Sequence, residues 1–277
     1  MSEDFLAAMA RSSRERVARE RELQPQQVLQ ARARELPPAP RFIPSNSGFD
    51  LIAEVKLRSP AAGQLKADGE DIPARVLAYA DAGAAAISVL TEPSRFDGAL
   101  SHLTQAASGL DGRIPVMRKD FLVDAYQVYE ARVAGAGGVL IILRMLSRAE
   151  LEALIEATSE LGLFALLEAF DEADLRLAAA LVREYSRRTA LLVGVNCRDL
   201  VTLKVVPGRL EALAPLLPRA VPRVAESGVA TGIDAARLAA AGYDVALVGS
   251  ALMQSGDPLE LAAALLAAGR AVPHARV

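Results

Sequence analysis

Lysine is scarce in this chain. Of its 31 basic residues only Lys56, Lys66, Lys119 and Lys204 are lysines, which leaves 27 arginines. Where any positive charge will serve, the sequence uses Arg, so the few lysines invite a chemical explanation. A lysine gives up its proton near neutral pH when burial or cationic neighbours lower its pKa, whereas Arg stays charged. Lys119 follows Arg118 and Lys56 precedes Arg58 by two residues, so both are expected to serve in proton transfer or carboxylate binding. Glu54 stands two residues before Lys56, and Glu168 ends the uncharged run Phe164–Leu167. A carboxylate there is costly to bury unless paired or at work, and its pKa is expected to rise. Asn196 and Arg198 follow another apolar run, with Asp199 suited to capping a loop, while Glu226-Ser227-Gly228 and Gly249-Ser250 follow two more. Gly-Ser corners after a strand offer backbone N–H groups to a phosphate.

These residues share one kind of place. Short apolar runs occupy Leu51–Val55, Ala85–Leu90, Ile114–Met117, Val139–Leu143, Phe164–Leu167, Leu191–Val195, Arg223–Ala225 and Val245–Val248. Between most of them lie segments of helical period, including Asp124–Ala136, Ser147–Leu161, Asp171–Tyr185 and Gly232–Ala241. Eight strands alternating with helices predict an α/β fold, a (β/α)8 TIM barrel whose chemistry gathers at the C-terminal strand ends. An open doubly wound sheet would call for a Gly-rich fingerprint after the first strand, and Glu54-Val-Lys-Leu-Arg-Ser-Pro is not one. Strand side chains alternate, so Glu54 and Lys56 point one way together, as do Asn196 and Arg198. Residues 1–48 read as an N-terminal helical extension ending in a Pro-rich linker, packed against the barrel or serving as a lid or partner arm; residues 49–277 read as the barrel.

Composition narrows the function. A net charge of −3 with interspersed signs argues against a nucleic-acid partner. The two histidines, His102 and His274, are far apart, so neither a metal cluster nor a Ser-His-Asp triad is expected. Cys197 is alone and reads as a small apolar filler. No apolar stretch approaches the roughly 20 residues of a membrane span, and the first residues carry no secretory pattern. The expectation is a cytoplasmic enzyme, a monomer or weak homodimer, acting on a small phosphorylated molecule.

Longer motifs sharpen this reading. Ile52-Ala-Glu-Val-Lys with Ser59-Pro60, Ile87-Ser-Val-Leu-Thr-Glu with Phe96 and Gly98, and Pro115-Val-Met-Arg-Lys-Asp-Phe resemble indole-3-glycerol phosphate synthase. So do Leu167-Glu168, Gly194-Val-Asn-Cys-Arg-Asp-Leu, Glu226-Ser-Gly and Leu247-Val-Gly-Ser-Ala-Leu. The resemblance implies ring closure, decarboxylation and dehydration of 1-(o-carboxyphenylamino)-1-deoxyribulose 5-phosphate without metal or organic cofactor. It further implies Lys119 as general acid, Lys56 as a carboxylate contact that assists proton transfer, Glu54 and Glu168 as acid/base carboxylates, and Asn196 as polar support. Glu226 and Arg198 would line the site, and Arg58 would stand beside the substrate. Ser59, Ser227, Gly228, Gly249 and Ser250 would grip phosphate, and Phe96 and Phe121 would wall the aromatic ring. Ala61-Ala62 and Arg58 depart from the family's usual loop, which bears on loop motion and affinity. Rival readings are another phosphosugar barrel, such as phosphoribosylanthranilate isomerase, which would want a Cys where the first strand ends, and a non-catalytic phosphate-binding barrel.

Overall fold

The computed structural model describes residues 5–60, 63–65, 70–199 and 202–273. Ala61, Ala62, Lys66 and His274 therefore lie outside the described residues. Eight parallel strands form a closed barrel. They are β1 (Asp50–Val55), β2 (Ala86–Leu90), β3 (Val116–Lys119), β4 (Gly138–Ile142), β5 (Phe164–Ala169), β6 (Ala190–Asn196), β7 (Arg223–Glu226) and β8 (Val245–Val248). Each pairs with its sequence neighbours, and β8 closes on β1 through Asp50↔Val245 and Ala53↔Val248. The third strand runs two residues further than its apolar run suggests, so Lys119 belongs to the ladder, opposite Leu90.

The pleat sorts side chains into two cores. Leu51, Ala53 and Val55 face the surrounding helices, whereas Ile52, Ala86, Met117, Leu140, Phe164, Leu166, Leu192, Val224 and Leu247 fill the barrel interior. That inner cluster forms an apolar floor, and inward-pointing positions above it fall to Glu54, Lys119, Glu168, Asn196 and Glu226. Helix starts follow local chemistry: Ser147 and Thr231 each form a capping box with an acid three residues on, and Asp71, Asp124, Asp171 and Asp257 cap by side chain.

The extension forms two helices, α1 (Phe5–Leu23) and α2 (Gln26–Glu35), and touches both ends of the barrel. At the C-terminal end Phe5 meets Phe121 edge-on with centroids 5.8 Å apart; in the linker, Phe42 meets Phe164 at 5.5 Å. Between these contacts Arg16 grips Asp120 with two hydrogen bonds, 2.7 and 3.0 Å. Asp120 also accepts from Thr91 Oγ1 at 2.8 Å and Arg118 at 3.2 Å, and its carboxylate is fully buried. Burial alone would raise its pKa, but these two guanidinium groups outweigh it and hold the carboxyl near 2. Ser13 of α1 accepts from Gln127 at 2.9 Å, so the helix is pinned over the end of β3. The packed reading of the extension thus describes α1, with its first described turn placed beside the barrel mouth.

Losing one partner of a buried pair costs about 3–5 kcal/mol, because the other charge stays buried without compensation. Asp120→Asn is expected to lower unfolding free energy by about 3 kcal/mol in urea titration, and an unchanged midpoint would show that Asp120 does not hold the extension.

Candidate active site

The C-terminal mouth holds a cavity of ≈ 370 Å³. Lys56, at 13% exposure, donates from Nζ to Glu54 Oε1 at 2.7 Å. Lys119 Nζ reaches across the barrel to Glu54 Oε2 at 3.3 Å and Glu226 Oε2 at 3.1 Å, linking β1, β3 and β7. Asn196 Nδ2 donates to Glu168 Oε1 at 3.4 Å, joining β6 to β5. Two glycines make room for these acids. A Cβ on Gly249 would overlap the Glu54 carboxylate, and one on Gly194 would overlap Glu226 Oε1.

Charge follows from this geometry. Burial pushes Glu54 up, but the adjacent ammonium groups of Lys56 and Lys119 prevail and bring it down to about 2. Burial works against the charge on Lys119, yet Glu54, Glu226 and Glu168 around it raise its pKa above the ordinary lysine value. This reverses the expectation from Arg118. That residue lies on the opposite face of β3, where it donates to Gln127 O at 2.9 Å and Glu130 at 3.0 Å, and the groups that face Lys119 are carboxylates. Glu168 behaves as its position predicts: burial and then the charge of Glu226 push its carboxyl well above the usual range.

Of the sequence-predicted residues, Glu54, Lys56, Lys119, Glu168 and Asn196 line the cavity, as do Ser59, Phe96, Phe121, Arg198, Ser227, Gly228, Gly249 and Ser250. Glu226 lies just beneath, fully buried. Arg58 is not brought into the lining; it is half-exposed and pairs with Asp97 at 3.5 Å. Ser227 and Gly228 both take left-handed backbone, φ 68° and 72°, which turns the chain sharply after β7. Cys197 packs beneath this corner, its thiol 3.3 Å from Ser227 O, so it is the filler expected. Ser250 opens the short helix Ser250–Gln254 at the neighbouring corner, after β8, which pairs with β7. Phe96 is placed by Glu92, whose carboxylate caps the turn Pro93–Phe96 at Ser94 N and Arg95 N, 2.9 and 2.7 Å. Phe96 and Phe121 lie 6.1 Å apart.

Sequence reading missed Phe5, Leu140, Ile142, Leu203, Val205 and Val229 in the cavity wall. Leu140 and Ile142 share the inward parity of β4 and could have been found that way. Phe5 could not, because its place depends on where α1 docks. Among the described residues no His/Cys/Asp/Glu group could hold a metal ion, and no helix is long and apolar enough to cross a membrane.

Two outcomes follow. Gly249→Ala should displace the Glu54 carboxylate and cut kcat at least tenfold while the fold survives; kinetics with near-UV circular dichroism checks this, and full activity would contradict the packing. Glu54 and Asp120 have depressed pKa values, so their stabilisation is present above the unfolded values of about 4 and is lost as pH falls toward 2. Melting temperature should therefore fall steeply over that window, and Asp120→Asn should flatten part of the slope.

A family model described as indole-3-glycerol phosphate synthase matches residues 6–265. The chain is 45% identical over 225 residues to the indole-3-glycerol phosphate synthase of Mycolicibacterium smegmatis, covering 80% of this chain and 78% of that one. It is 44% identical over 219 residues to that of Parafrankia sp., covering 79% and 78%. Among solved structures, 3-hexulose-6-phosphate synthase from Salmonella typhimurium superposes with TM-score 0.61 at 16% identity, covering 80% of this chain and 98% of that one. Orotidine 5'-phosphate decarboxylase from Pyrococcus horikoshii gives 0.56 at 16%, covering 79% and 99%, and these two likenesses speak to the barrel alone. With a matched family model over nearly its whole length and relatives well above 40% identity, the chain belongs to the indole-3-glycerol phosphate synthase family.

Proposed function

We propose that this mouth binds 1-(o-carboxyphenylamino)-1-deoxyribulose 5-phosphate and that Lys119 is the acid of ring closure. The phosphate would lie against the corners Ser227-Gly228 and Gly249-Ser250 together with Ser59, the aromatic ring against Phe96 and Phe121, and the carboxylate toward Lys56. Arg198, whose guanidinium donates to Leu203 O at 2.7 Å, would hold the loop beyond β6 along the rim. Arg58, paired with Asp97, has no part in this binding mode.

The observation that carries the reading is the placement of Lys119 among Glu54, Glu226 and Glu168 at the floor of a cavity rimmed by Gly-Ser corners. The surrounding carboxylates keep its ammonium protonated, so the proton to be donated is present before the substrate binds. As the ring carbon attacks the ketone carbon, the oxygen takes a proton from Lys119 Nζ, and Glu54 and Glu226 stabilise the position to which that proton returns. The carboxylate then leaves as carbon dioxide, its bonding pair remaining with the five-membered ring. The hydroxyl leaves as water after gaining a proton, and a ring proton is lost to complete the indole. Glu54, ionised under Lys56, is the acceptor suited to that proton. The sum consumes one proton per turnover, and no cofactor is required. We further place the enzyme in the cytoplasm as a monomer or weak homodimer, with residues 1–48 as extension and 49–277 as catalytic barrel.

The chain has no Trp, so indole product is readily followed by its fluorescence. Pure protein with the carboxyphenylamino-deoxyribulose phosphate should yield it. Lys119→Ala should lower kcat by about 10²–10⁴, the range for a lost acid/base group, with a smaller change in KM. Equal turnover in the variant would remove Lys119 from the acid's role.

A further inference from the structure

Two oxygens beneath the cavity have no donor. Glu168 Oε1 takes the Asn196 amide and Glu226 Oε2 takes Lys119, but Glu168 Oε2 and Glu226 Oε1 are buried and unsatisfied. The two side chains are 2% and 0% exposed. They are also neighbours. Glu226 is the register partner of Asn196 and Glu168 that of Gly194, and Glu226 Oε1 occupies the space a Gly194 side chain would fill. Both carboxyls thus converge on the space beside Gly194, where the charge of Glu226 acts on Glu168.

We propose that Glu168 and Glu226 hold one proton between Glu168 Oε2 and Glu226 Oε1 in the resting enzyme, so that Glu168 meets the substrate as a carboxylic acid and Glu226 is the positioning residue that keeps it so. The inference deepens the acid/base reading above and rests on it for the role, though not for the proton itself.

Electrostatics and hydrogen bonding agree. A buried carboxylate oxygen without a donor is costly, and two adjacent carboxylates in a dry site do not both stay ionised. One shared proton satisfies both oxygens. The charged groups facing the pair are Lys119 from β3 and Glu54 from β1, with Lys56 behind Glu54. Strands β2, β4 and β8 turn Ser88 and Leu90, Leu140 and Ile142, and Leu247 toward the interior, none of them titratable. With every acid ionised the cluster would carry three negative charges against two positive; the shared proton brings it to balance. Burial and the charge of Glu226 favour the neutral form of Glu168. When Glu168 donates, its O–H bond breaks and the electron pair stays on its oxygen. The doubly ionised pair then faces Lys119 and Asn196 and recovers by taking one proton from solvent, which matches the single proton the reaction consumes.

Infrared difference spectroscopy of the whole enzyme without substrate tests this. At pH 7 it should show the C=O stretch of one protonated, hydrogen-bonded carboxylic acid. The band should vanish in Glu168→Gln and in Glu226→Gln, because a glutamine amide takes the proton's place between the two oxygens while the shape is kept. Its absence from the unmodified enzyme, or its survival in both variants, would overturn the proposal, and neither reading depends on turnover. Kinetics assigns the role separately: Glu226→Gln should move the alkaline limb of the kcat/KM profile to lower pH, because Glu168 then loses its proton more easily, whereas a merely structural loss would scale the profile without moving it. If the band is present and the limb stays fixed, Glu168 is not the donor. A band in an enzyme that forms no indole product would instead bring down the substrate assignment.

Discussion

The site depends on one ammonium that crosses the barrel to carboxylates on two other strands. Lys119 belongs to β3, and its partners Glu54 and Glu226 to β1 and β7. No local segment could bring these three together; only closure of the sheet does, at a diameter that side chains just fill. The apolar floor of Ile52, Met117, Leu140, Leu166 and Leu247 keeps water from below, so the charges act on one another in a poorly screened space. Gly194 and Gly249 complete the arrangement, each leaving out a side chain where a carboxylate must sit.

Three consecutive residues show how the pleat divides labour. Lys119 points into the mouth, Arg118 points to the helix Ala125–Val133, and Asp120 gathers Arg16, Thr91 and Arg118 around the end of the strand. Chemistry and anchoring therefore share one strand end without sharing a face. Because Asp120 adjoins both Lys119 and Phe121, the pinning of α1 and the placement of these two side chains rest on the same few atoms. Phe5 meets Phe121 from α1 and Phe42 meets Phe164 from the linker, so the extension reaches both ends of the barrel.

Much of this was legible in the sequence, for reasons that differ by residue. Glu54 and Lys56 could be assigned to one face because strand parity is strict, and Glu168 could be expected to hold its proton because nothing charged precedes it in its strand. For Lys119 the chain neighbour Arg118 points to the wrong direction, because it is not a spatial neighbour; what shifts a buried pKa is the groups across the barrel, and those come from distant strands. The resemblance placed Arg58 beside the substrate, but three residues past the end of β1 its guanidinium meets Asp97 in the open. Phe5 is the converse: its apolar stripe was visible, its destination was not, because docking of a helix on a barrel is set by a tertiary lock such as Arg16 with Asp120.

The contrast between Glu54 and Glu168 carries the chemical logic furthest. Both are glutamates near the end of a strand, both are buried, and burial pushes both upward. Glu54 faces two ammonium groups and ends near 2, ionised and able to accept a proton; Glu168 faces a carboxylate and an amide and is driven the other way. One residue type is thus held ionised at one place and driven toward its neutral form at another in a single pocket, by environment alone. The hexulose-phosphate and orotidylate barrels share the scaffold at 16% identity. A scaffold so widely shared cannot set the reaction. What sets it is which side chains the inward positions carry, and in this chain those positions separate two identical carboxylic acids by the company each is given.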